Sequence, residues 1–111
     1  AFKGVEYLKT ITKPENSNPI LHIYMVHLDF AALQKSRGEI MQALAAKKVG
    51  TQVHYIPVDS QGYYQNLYGD QDAILPDSRA FYETCLSIPF YPKMTNEDVN
   101  YVIETIKEIV T

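Results

Sequence analysis

Three histidines and a lone cysteine are the side chains of this chain best suited to bind a metal, move a proton or attack a carbonyl. His22 and His27 are five apart in a run that reads as a strand, so they point to opposite faces, which is wrong for two ligands of one metal. Structural roles suit them better. Cys85 falls on the apolar side of a predicted helix and reads as a buried thiol rather than a nucleophile. The lysines, from Lys3 to Lys107, sit in termini, loops or solvated helix faces, and none is set in an apolar pocket that would activate an amine. No G-x-S-x-G, P-loop or G-x-G-x-x-G is present, so the chain carries no self-contained catalytic constellation. His54 is different. It precedes Tyr55 at the end of a predicted strand, beside a loop dense in Tyr, Gln and Asn, side chains suited to sugar hydroxyls; the alternative is a histidine bonded to a neighbouring loop.

The elements that must position His54 follow from local signals. Gly50 stands where a helix C-cap favours positive φ, and residues 49–58 then alternate as a strand, with Thr51, Val53 and Tyr55 on one face and Gln52, His54 and Ile56 on the other. Pro57 ends the pairing. Upstream, residues 1–8 read as the tail of a helix without a cap, as in an excised fragment, and the proline-bearing run 13–19 reads as a connector. Residues 21–30 are apolar on both faces, the pattern of a strand inside a sheet. Ser36-Arg37-Gly38-Glu39 has the form of a capping box, predicting a helix over 37–48 with Ile40, Met41, Leu44 and Ala45 inward and Lys47 and Lys48 in its last turn. After a polar loop at 59–62, residues 63–68 suit one or two helical turns closed by Gly69, and a second loop covers 70–75. Pro76-Asp77-Ser78 opens another helix, residues 86–90 form a brief strand, and Thr95 caps a last helix with Val99, Val102, Ile103, Ile106 and Val110 inward.

That order predicts an α+β fold: a small three-stranded sheet, mixed or antiparallel, with helices mainly on one face. The strands at 21–30 and 49–58 run parallel, with the strand at 86–90 between them in the other direction. The predicted division is a lead-in and connector over 1–19 and one domain over 20–111, a size that can bury a single core. A net charge of -3 and scattered Lys and Arg exclude a basic field for nucleic acid. Apolar runs fall short of the ~18 residues a membrane span needs, and no charged-then-apolar leader opens the chain. One cysteine suits a reducing cytoplasm. Nine tyrosines without a tryptophan suit either a surface that meets a polar ligand or partner, or rings half-buried at sheet edges.

The runs Gly50-Thr51-Gln52-Val53-His54-Tyr55-Ile56-Pro57, Tyr63-Tyr64, Leu67-Tyr68-Gly69 and residues 86–95 (LSIPFYPKMT) resemble the C-terminal part of the PLP-dependent nucleotide-sugar aminotransferases of the DegT/DnrJ type. Within that family the G-T-Q-V-H-Y run is most similar to enzymes that aminate a UDP-linked 4-keto-6-deoxy-N-acetylhexosamine toward pseudaminic acid. The resemblance implies a cytoplasmic homodimer of fold-type I. Its large domain holds PLP as a Schiff base to lysine, glutamate serves as amino donor, and the small C-terminal domain closes over the active site. His54 matches a family histidine near the sugar nucleotide, so the substrate-binding residues it implies are His54, Tyr55 and Gln52, with no catalytic, cofactor-binding or metal residue in this stretch. Asp59 departs from the histidine many relatives carry. The lysine that holds PLP would lie in the large domain, which implies that this fragment alone binds no PLP and is inactive. The competing expectation is a free-standing binding or interaction module built on the same layer.

Overall fold

Helices and strands are placed here by short-range signals that can be checked one by one in a computed structural model describing residues 1–71 and 74–111. Helix α1 (Arg37–Ala46) starts at the Ser36 capping box: the serine hydroxyl accepts from the Glu39 amide at 3.2 Å, and the Glu39 carboxylate accepts from the Ser36 amide at 2.7 Å. Its end departs from expectation. Val49 donates to Leu44 and Lys48 to Ala45, a Schellman closure in which Lys48, at φ 62°, takes the left-handed position expected of Gly50. Lys47 and Lys48 thus lie beyond the helix, and Val49 is buried with Leu44. The inward stripe is Ile40 and Leu44 flanked by Met41 and Ala43; Ala45 is exposed.

Helix α2 (Gly62–Tyr68) ends at Gly69, at φ 71°, and helix α3 (Pro76–Thr84) begins on proline. The predicted loop at 70–75 includes residues 72 and 73, which lie outside the described residues. Helix α4 (Asn96–Val110) opens on a second capping box, between Thr95 and Asp98, and buries Val102, Thr105, Ile106, Ile109 and Val110. Val99 is 40% exposed, so the buried stripe lies further toward the C-terminus than the apolar spacing alone suggests.

The sheet has three antiparallel strands in the order β1 (Leu8–Thr10), β2 (Tyr24–Leu28) and β3 (Cys85–Ile88), with β2 in the middle as its two-faced apolar pattern predicts. Two expectations are corrected. Residues 1–8 are not a helix tail: they form turns leading into β1, whose Leu8 is buried opposite Leu28. Residues 49–58 are not a strand. Only Gln52 pairs, through a single antiparallel bridge to Ser87. The predicted arrangement survives in reduced form, since β3 does lie between β2 and Gln52 and runs against both. Cys85 opens β3 instead of lying on a helix, and it is buried.

The core gathers Val26, Leu28 and Leu86 from the sheet, Ile40, Leu44 and Val49 from α1 and its cap, and Val102, Ile106, Ile109 and Val110 from α4. Phe2 and Leu8 close one side. Lys35 Nζ donates to the Ile109 carbonyl at 2.7 Å, and the Tyr101 hydroxyl donates to the Lys47 carbonyl at 2.9 Å, so α1 and α4 are tied at both borders of their contact. The opposite sheet face meets α3, where the His27 ring packs edge-on against Phe81 at 4.8 Å.

Candidate functional site

Ser87 is the fixed point of the site. It is 5% exposed, pairs with Met25 of β2, and on its other side exchanges both backbone hydrogen bonds with Gln52, at 3.1 and 2.8 Å. Two residues beyond Gln52, the chain has turned enough for His54 Nδ1 to lie 2.8 Å from Ser87 Oγ. A single backbone bridge and a single side-chain hydrogen bond therefore hold the segment that carries the predicted site.

Beside this junction is an open cleft of about 250 Å³. His54 and Gln52 line it with Gly50, Thr51, His22 and Ser87, and Ile88, Pro89 and Phe90 supply the apolar wall. Hydroxyl, amide and imidazole groups around one aromatic ring suit a polyol or another ligand rich in oxygen acceptors. Tyr55 is not in the lining. It is 75% exposed and packs its ring edge-on against that of His54, at 4.8 Å between centroids. Of the three predicted site residues, then, two share the cleft and the third buttresses one of them from outside.

Sequence reasoning missed His22 and Ser87. His22 lies just before β2, which sets it apart from His27: His22 lines the cleft, while His27 Nδ1 is 2.8 Å from Thr84 Oγ1 at the end of α3. His22 and His27 thus meet different surroundings, the cleft and the end of α3. Ser87 looked like an ordinary strand residue, and only its pairing with Gln52 reveals its role. Asp59 accepts from the Ser78 hydroxyl of α3 at 3.4 Å, away from the cleft lining.

Electrostatics nearby are structural. The Arg37 guanidinium lies over the Tyr82 ring at 4.6 Å and donates to the carbonyls of Tyr82 and Cys85, fixing the end of α3. Burial pushes the Cys85 thiol above its ordinary range, against a weaker opposing pull from Arg37. Such a thiol is a poor nucleophile at neutral pH. The cleft does not fit a pyridoxal group held by this chain: among its described lining residues no lysine offers an amine for a Schiff base.

Fold and cleft together define a small α+β domain with one polar-walled cleft beside the β3 edge. The chain belongs to the DegT/DnrJ/EryC1/StrS aminotransferase family, whose model matches residues 1–107. It is 34% identical over 111 residues to the spore coat polysaccharide biosynthesis protein SpsC of Bacillus subtilis, a match covering 99% of this chain and 28% of SpsC. Spr1654 of Streptococcus pneumoniae, assigned as a sugar aminotransferase and solved in its PLP form, superposes with a TM-score of 0.83 at 31% identity, over 98% of this chain and 27% of that one. PseC of Helicobacter pylori, an aminotransferase of pseudaminic acid biosynthesis, shares the fold with a TM-score of 0.79 at 23% identity, over 98% of this chain and 29% of that one. The chain thus spans little more than a quarter of the length of these relatives.

Proposed function

We propose that this chain is the C-terminal small domain, over residues 20–111 with β1 supplied by the lead-in 1–19, of a PLP-dependent aminotransferase. The whole enzyme moves an amino group from glutamate to a UDP-linked 4-keto-6-deoxy sugar destined for a surface glycan, working in the cytoplasm as a homodimer. The observation that carries this reading is that the family match spans residues 1–107 and that His54 and Gln52 from its most recognisable run line one polar cleft. The polysaccharide role in the name of SpsC supports the glycan assignment.

When bound, PLP supplies the electron sink for transamination, and in this reading it is held by a lysine of the large domain. The residues of this chain bind and orient. His54 and Gln52 offer hydrogen bonds to the sugar nucleotide, Phe90 provides an apolar floor, and Tyr55 keeps the His54 ring from swinging outward.

The test is a PLP titration of this chain beside the complete protein, followed by glutamate and candidate UDP-4-keto sugars. A glutamate-driven spectral change in the complete protein, with silence from this chain, is the expected outcome. A lysine-linked absorbance band in this chain alone would overturn the assignment of the cofactor site to the large domain. Silence from both would favour a binding module on the same fold. In the complete protein, His54→Ala should raise KM for the sugar nucleotide about tenfold, the effect of losing one or two ligand hydrogen bonds, with KM for glutamate unchanged.

A further inference from the structure

We infer that Ser87 is a positioning residue that fixes the tautomer of His54, leaving its Nε2 protonated and available to the cleft as a hydrogen-bond donor. The argument is one of proton accounting. Ser87 Oγ and His54 Nδ1 are 2.8 Å apart, and either group could donate. Ser87 is 5% exposed, and among the described residues its hydroxyl has no other hydrogen-bond partner. If Nδ1 carried the proton, the serine hydroxyl would accept it and its own hydrogen would find no acceptor among the described residues, whereas donation by the serine satisfies both atoms within the protein. The serine therefore donates and Nδ1 accepts. In the neutral ring the proton then resides on Nε2.

His27 shows the opposite arrangement in the same sheet. Its Nδ1 lies 2.8 Å from Thr84 Oγ1, but that hydroxyl already donates to the Ala80 carbonyl at 3.1 Å. Thr84 is therefore the acceptor, and His27 carries its proton on Nδ1. Two histidines at equal distance from a hydroxyl thus take different tautomers because one hydroxyl has a helix carbonyl to serve and the other has none.

For function, this determines what His54 can recognise. With Nδ1 engaged by Ser87, Nε2–H is the polar group the ring has left, so the ligand must present an oxygen acceptor to it. The identity of that ligand as a nucleotide sugar rests on the proposed function; the tautomer does not.

Long-range proton–nitrogen spectra of the histidine rings decide the matter, recorded on this chain across a pH series and read at the end where the ring signals no longer change with rising pH. His54 should show an unprotonated, pyridine-type Nδ1 and a protonated Nε2, and His27 the reverse. Ser87→Ala should reduce the His54 bias while His27 keeps its signature, and Ser87→Thr, which keeps the hydroxyl, should restore it. A protonated Nδ1 on His54 in the unaltered chain overturns the proposal even if neither variant folds. So does a folded Ser87→Ala chain whose His54 signature is unchanged. Titration of the complete protein with UDP-N-acetylglucosamine is the separate arm: predicted ring signatures without binding would leave Ser87 in its role and count against the sugar-nucleotide reading.

Discussion

Cys85 and His54 show how far a side chain's chemistry depends on what surrounds it. Both have reactive groups, but Cys85 is 1% exposed at the head of β3 while His54 borders an open cleft. Because burial raises the Cys85 thiol, its thiolate forms only at a pH above the usual thiol range. Labelling of the native chain with a disulfide reagent should therefore be slow at pH 8 and become fast in guanidinium; equal rates would show that the thiol is accessible. Linkage gives the same sign for stability. The unfolded chain loses its thiol proton first, so this group's contribution is intact below the ordinary thiol value and declines as pH rises through it. The sequence made the cysteine's burial legible through its apolar neighbours, and it singled out His54 and Gln52 through a recognisable run. It could not disclose His22 or Ser87, because their roles arise from contacts between segments far apart in sequence: Ser87 with Gln52 and His54, and His22 with the residues of the same cleft.

Elements set by neighbouring residues were read closely, and those that need a distant partner were not. Both capping boxes are complete within four residues, and both helices start where those residues say. The alternation over 49–58 showed that a strand could form there but not how far it would pair, and it meets β3 at Gln52 alone. β1 is three residues long with one buried side chain, too brief for any periodicity to register. The end of α1 was misread by two residues, since Gly50 drew attention from Lys48, which holds the left-handed position at φ 62°. That position disfavours any side chain with a Cβ. Lys48→Gly should therefore stabilise the chain by about 0.5–1 kcal/mol, despite the greater freedom glycine gains when unfolded. Urea denaturation with an unchanged m-value checks it, and a loss of stability would mean that Lys48 makes up the backbone cost through its side chain.

As a whole the molecule is less compact than its length allows, and more than one stretch lies off the core: residues 9–25 contain no buried residue. The radius of gyration is 15.7 Å, where a closely packed chain of this size would have about 13 Å. From residue 50 to residue 84 none of the described residues is buried, whereas the core draws on both flanking stretches. This region projects Tyr55, Ile56, Val58, Tyr63, Leu67 and Tyr68, each more than half exposed. In the reading proposed above, this surface is the face that meets the large domain or a second protomer. The segment is tied to the sheet through Gln52 and His54 at one end and Thr84 at the other, and α2 within it is only seven residues long, too short to persist without packing. Local opening of residues 53–71 should thus need far less free energy than global unfolding. Native-state hydrogen exchange should show these amides exchanging ~100-fold or more faster than those of β2, β3 and α4. In the complete protein, where the proposed large domain or a second protomer would cover this face, the same amides should slow toward the rates of the core. Equal protection of both regions in this chain alone would mean that the segment packs on the core in solution. Fast exchange unchanged in the complete protein would mean that nothing covers it, and the wall that holds His54 would then have to be ordered by the ligand itself.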